Sequence, residues 1–120
     1  MSLYPDVPYE YAARGAGLLF TAGACPLDVG GRVVEGGVEA QAHRAVDNLL
    51  AVLEGEGLTA RSLLKTTVFV ASSDRAELVQ AWRVVAERLA PARPPSTLLG
   101  VAALGYPDQL VEIEAVAVLA

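Results

Sequence analysis

The sequence predicts an α+β domain in which two helices cover one face of a mixed sheet, in the order ββαβαββ. Three observations carry this. In two stretches apolar residues recur at three- and four-residue steps, the spacing of a helical face. Five shorter stretches are rich in Val, Leu, Thr and Phe, as strands are. Gly, Pro or Asp stands wherever the period changes.

The elements follow in order. "LLFTAG" (18–23) is β-favouring and stops at Gly23, and "CPLDVGGRVVEGG" (25–37) holds the Gly30-Gly31 pair before a short apolar "RVV". Together they read as two strands joined by a glycine turn. "VEAQAHRAVDNLLAVLEGEG" (38–57) is a helix with Ala42, Ala45, Val46, Leu49, Leu50 and Leu53 on one face, and Gly55 and Gly57 as stop signals. "LLKTTVFVA" (63–71) returns to strand. A second helix opens on Asp74 with Glu77 three residues later, the pattern of a capping box, and carries Leu78, Trp82, Val85 and Leu89 as its stripe. "PARPP" (91–95) ends it. "STLLGVAAL" (96–104) and "LVEIEAVAVL" (110–119) are the last strands, separated by the turn Gly105-Tyr106-Pro107-Asp108. With 120 residues and no linker, repeat or low-complexity segment, one domain over 1–120 is expected.

Composition narrows the function. Hydrophobic residues make up 53% of the chain and the mean hydropathy is +0.41, high for so small a domain. Both helices lie on one sheet face, yet the strands are apolar on both, so self-association through the uncovered face is expected. Net charge is −5 and the basic residues are scattered, which argues against a nucleic-acid partner. The single cysteine, Cys25, rules out an intrachain disulfide and a cysteine metal cluster. No apolar run approaches the ~20 residues of a membrane span, and "MSLYPDVPYEY" lacks the basic-then-apolar pattern of a signal peptide. A cytoplasmic protein without a membrane partner is expected.

Few residues point to chemistry. His43 is the only histidine and lies off the apolar stripe, as a solvated helix residue does. Cys25 has no basic neighbour in sequence and reads as a small buried or turn thiol. The glycines follow neither a dinucleotide nor a phosphate-loop spacing. The four tyrosines, Tyr4, Tyr9, Tyr11 and Tyr106, read as packing or interface residues. Glu112 and Glu114 stand out, because alternation puts both on one face of an apolar strand. A carboxylate there must find water, a cation or hydrogen-bond donors. Two readings stay open: solvent-lined and ion-paired carboxylates, with Lys65 as partner of Glu114, or a carboxylate set over a ligand to orient a water or move a proton.

Five segments, in order along the chain, carry a resemblance. Pro8-Tyr9, "FTAG" (20–23), "EAQAHRAVDNL" (39–49), "KTTVFV" (65–70) and "VEIEAVAV" (111–118) resemble the RidA family, also called YjgF or L-PSP. The resemblance implies a chorismate-mutase-like fold, a homotrimer whose sheets form a central barrel, and a small-molecule cleft between subunits. It implies cofactor-free, metal-free hydrolysis of enamines and imines to a 2-oxo acid and ammonia. By position, Glu112 is then the water-holding carboxylate, Tyr9 the tyrosine that closes the cleft, and Gly23 the backbone glycine. Gln80 stands for a cleft-side asparagine, and Ser96 with Thr97 for the Ser-Thr or Ser-Cys pair. The family's substrate-clamping arginine precedes that pair, whereas this chain has Pro95 there, so it resembles an arginine-lacking branch. Arg93 is the nearest replacement, displaced roughly 6.6 Å if the segment is extended. Losing the bidentate clamp removes about 1.5–3 kcal/mol and the orientation it imposes. The resemblance therefore implies either a deaminase of altered substrate range or a cleft that binds, or holds a partner, without turnover. Some relatives carry an endoribonuclease label, which the acidic composition disfavours.

Overall fold

A computed structural model describes residues 2–120. Its elements are β1 (Ala12–Gly15), β2 (Leu18–Thr21), α1 (Gly37–Gly55), β3 (Leu63–Val70), α2 (Arg75–Leu89), β4 (Ser96–Gly100) and β5 (Val111–Val118), with a single turn of 3₁₀ helix, Ala60–Ser62, before β3. The ββαβαββ order is the expected one, but the first hairpin lies elsewhere. β1 pairs with β2 across Ala16-Gly17, both at positive φ, the geometry of a tight hairpin turn. The segment 25–37 makes no strand. It is an irregular loop closed by one bridge, Leu27 to Val33, with the Asp28 carboxylate accepting from the Gly30 and Arg32 amides. A short apolar "RVV" has too few alternating residues to hold a ladder against that Asp turn.

The sheet runs β1-β2-β5-β3-β4. Only β3 and β4 are parallel, because α2 carries the chain back between them. Both helices lie on one face, α1 against β5 and α2 against β3 and β4. Alternation in β5 sends Val111, Ile113, Ala115 and Ala117 into that layer, where they meet Leu19, Val46, Leu49, Leu53 and Val85. About 2 kcal/mol per fully buried side chain of this size is a fair scale for what holds the layers together.

The helix ends follow their signals with one change. Gly57 at positive φ lets its amide and that of Leu58 reach back to the carbonyls of Glu54 and Leu53, closing α1. Asp74 caps α2 by accepting from the Ala76 amide, but Glu77 does not return to the Asp74 amide. The Ser72 hydroxyl takes that place, accepting from Asp74 N and donating to Glu77. β4 is shorter than expected, since Gly100 ends it and 101–110 is loop. None of the described helices is long and apolar enough to cross a membrane.

The opposite sheet face is uncovered. Phe20 pairs with Val116 and Leu18 with Val118 on it, and Phe69 stands between Glu112 and Leu99. Phe20 is 49% exposed and Leu99 and Val118 are 44% exposed. A bulge between Leu63 and Lys65 adds Leu64 to the exposed apolar residues.

Candidate functional site

At one end of this open face β2 hands over to the 22–27 segment. The Ala24 amide and carbonyl bond to Ile113, so residues 23–25 run beside the start of β5. That register brings the Glu112 side chain directly over Gly23. A Cβ on Gly23 would lie 2.3 Å from Glu112 Oε2 and 2.4 Å from Cδ, so only glycine leaves the carboxylate its place.

Neutral donors hold the other oxygen. Glu112 Oε1 accepts from Cys25 Sγ at 3.2 Å and from Gln109 Nε2 at 3.2 Å. Gln109 is buried; its amide also donates to the Val111 carbonyl and its oxygen accepts from the Tyr106 backbone N–H. A second buried amide, Gln41 of α1, donates to the Asp108 carbonyl and accepts from Leu110 N. The loop that carries Tyr106 is thus pinned from two sides. A third, Asn48 of α1, donates to the carbonyls of Cys25 and Leu27 and anchors the other wall.

Tyr9 stands beside Cys25, and the Tyr106 backbone is tied to Glu112 through Gln109. Tyr9 and Tyr106 share a hydrogen bond between their hydroxyls at 3.2 Å, and the Tyr11 ring stands edge-on to Tyr9. Burial of its phenol first, then the Tyr106 bond and the nearby Cys25, raise the Tyr9 pKa, although the residue as a whole stays 38% exposed. Burial first, and then the Glu112 carboxylate, push the Cys25 thiol up to about 12. At neutral pH it is therefore a protonated donor and no nucleophile. The arrangement leaves Glu112 Oε2, which accepts from no donor among the described residues, to hold a water or a small polar ligand. No three His, Cys, Asp or Glu side chains among the described residues come together to hold a metal ion.

The residues singled out from the sequence do not all meet. Glu112, Gly23 and Tyr9 share this end of the sheet, Tyr9 through Tyr106 and Cys25. Thr97 lies on the open face but nearer the middle, opposite Thr67, where its hydroxyl accepts from Lys65 Nζ at 2.6 Å. Ser96 points the other way, bonded to the Thr66 hydroxyl and to the Pro94 carbonyl. Arg93 is exposed in the loop before β4, at the far end of that strand from Glu112. Gln80 is exposed on α2 and faces Glu39 of α1. Within one chain these four stand apart from Glu112.

The expected Glu114–Lys65 pair is absent: Lys65 reaches across to β4, and the ion pairs among the described residues are Arg14–Glu56 and Arg88–Asp47. Glu114 is exposed and lies diagonal to Lys65, since it faces Thr67 while Lys65 faces Val116. His43 is exposed, with Arg88 against it. Cys25 is the small buried thiol the sequence suggests, but neither its bond to Glu112, nor Gln109, nor the tie to Tyr106 is apparent from the sequence. Their only signal was a polar Gln beside a turn and a thiol beside a strand end.

Comparison with known proteins agrees with this architecture. A family model described as Endoribonuclease L-PSP matches residues 1–119. A RutC family protein of Synechocystis is 40% identical over 119 residues, covering 96% of this chain and 88% of that protein. The 2-iminobutanoate/2-iminopropanoate deaminase of Escherichia coli K12 is 31% identical over 112 residues, covering 92% and 87%. Among solved structures, YyfA of Yersinia pestis, a Rid family protein of unknown function, superposes with a TM-score of 0.84 at 30% identity over 93% of this chain and 88% of that one. Full-length matches of this kind, on the same two-helix, five-stranded fold, make this chain a member of the RidA/YjgF/L-PSP family.

Proposed function

We propose that this protein hydrolyses small imines or enamines, without a cofactor, in clefts between the subunits of a homotrimer. The observation that carries the reading is the Glu112 carboxylate held over Gly23 at the edge of an uncovered apolar sheet face. The 31% identity to a protein named for imine deamination supports the reaction class. The exposed Phe20, Leu99 and Val118 support a second and third copy as the cover.

The step balances simply. A water held by Glu112 adds its oxygen to the imine carbon while the carboxylate takes a proton. The carboxylate gives that proton to nitrogen, forming a carbinolamine; it then takes the hydroxyl proton and passes it to the amino group as the C–N bond breaks, so ammonia leaves behind a carbonyl. Tyr9 and Tyr106 border the ligand with hydroxyl groups. Pro95 stands where the resemblance places a carboxylate-clamping arginine, and Arg93 is no close substitute within the chain. The substrates therefore differ from those of the archetypal deaminases in depending less on a carboxylate.

The test couples the protein to a dehydratase that releases imines from several amino acids and follows ammonia. Native protein accelerates release, and Glu112→Ala abolishes the acceleration. Equal rates with and without the native protein across the panel, together with ligand-dependent thermal stabilisation, would assign the cleft to binding alone.

A further inference from the structure

The fold treats the two oxygens of Glu112 differently. Oε1 carries both protein donors, Cys25 Sγ and Gln109 Nε2, each at 3.2 Å, while Oε2 lies over Gly23 and receives no donor from the described residues. We propose that Cys25 and Gln109 are positioning residues that lock Oε1 and leave Oε2 as the oxygen that holds the water. The role of the water rests on the function proposed above; the locking does not.

Both donors are buried and held by further hydrogen bonds. Gln109 is 3% exposed; both of its N–H donors are used, by the Val111 carbonyl and Glu112, and its oxygen accepts from Tyr106 N. One side chain thereby sets the Glu112 carboxylate and the backbone of Tyr106 together. Cys25 is buried, and its carbonyl is held by Asn48 from the first helix. A carboxylate fixed at one oxygen by two such donors loses little freedom when a water or ligand meets the other. Both donors are neutral, so they orient Glu112 without cancelling its charge, which a lysine or arginine would do. The thiol serves here as a donor because burial and Glu112 together keep it protonated.

The chain's single cysteine gives a test that needs no turnover. Thiolate absorbance is titrated across the alkaline range in which the fold persists, with Cys25→Ser as the blank. Glu112→Gln, which keeps the side chain's shape and removes its charge, lowers the midpoint, and Gln109→Leu, which removes a donor, raises it. In the imine assay Cys25→Val and Gln109→Leu each lower kcat about tenfold with KM within about twofold, and Cys25→Ser recovers most of the loss. An unchanged thiol midpoint in a folded Glu112→Gln protein overturns the contact. Native kcat in both Cys25→Val and Gln109→Leu overturns the positioning role. A native protein that turns over no imine overturns the proposed function instead, and the thiol titration then decides the locking by itself.

Discussion

Gly23 and Glu112 occupy each other's space: the position of a Gly23 Cβ lies 2.3 Å from Glu112 Oε2. Gly23 shows no positive φ, so its backbone accepts other residues and the constraint is the carboxylate alone. Gly23→Ala is expected to cost about 1–3 kcal/mol, because moving the carboxylate leaves the Cys25 and Gln109 donors without their acceptor. It displaces the carboxylate, and turnover in the imine assay should fall at least about tenfold. Melting curves and the ammonia assay on the same preparation check both halves.

Cys25 makes stability depend on alkaline pH. The folded chain holds the thiol proton up to about 12, against 9.0 for an unperturbed thiol. Between those values the unfolded chain releases a proton that the folded chain keeps, so stability falls as pH rises from about 9 towards 12. Below about 9 the contribution is fully present. Tm measured against pH should decline more steeply in that window for the native protein than for Cys25→Ser, and equal slopes would remove the claim.

The uncovered sheet face predicts assembly. Phe20 is half-exposed on it, opposite Val116 on the central strand β5. Sedimentation velocity should find a trimer for the native chain. Phe20→Glu places a charge in that apolar contact and should yield monomer with the helical content retained. A native monomer at micromolar concentration would refute the trimer.

Asn48 is a buried amide holding two loop carbonyls, those of Cys25 and Leu27. Asn48→Ala removes one donor from each carbonyl, which keep the Leu27 amide and the Arg44 guanidinium respectively, and should destabilise by about 1–2 kcal/mol. Because the same bonds anchor the segment bearing Cys25, turnover should fall as well. Urea unfolding gives the first figure and the imine assay the second.

Much of this was legible beforehand, and the misses share a cause. The helices were read from the recurrence of Ala42, Val46, Leu49 and Leu53, and of Leu78, Trp82, Val85 and Leu89, because a helical face is a local periodic property. β5 was read from alternation for the same reason. The first hairpin turns at Ala16-Gly17 and not at Gly30-Gly31: Ala16-Gly17 is the weaker local turn signal, and strand pairing, not composition, selects it. Glu114 was paired with Lys65 on the strength of a shared face, but the Leu64 bulge and the reach of β4 gave Lys65 to Thr97.

By itself the sequence determined the element order, the two-layer architecture, the family and the presence of a carboxylate on an apolar strand. These depend on periodicity and on segments that keep their order along the chain. Tertiary structure alone decided that Glu112 rests on Gly23, that Cys25 and Gln109 hold one of its oxygens, and that Tyr9 meets Tyr106. All of these but the Gln109–Glu112 bond join residues about 90 positions apart, brought together by the register of β5 against the segment after β2. Such a register is set by packing across the whole sheet, and no local pattern encodes it.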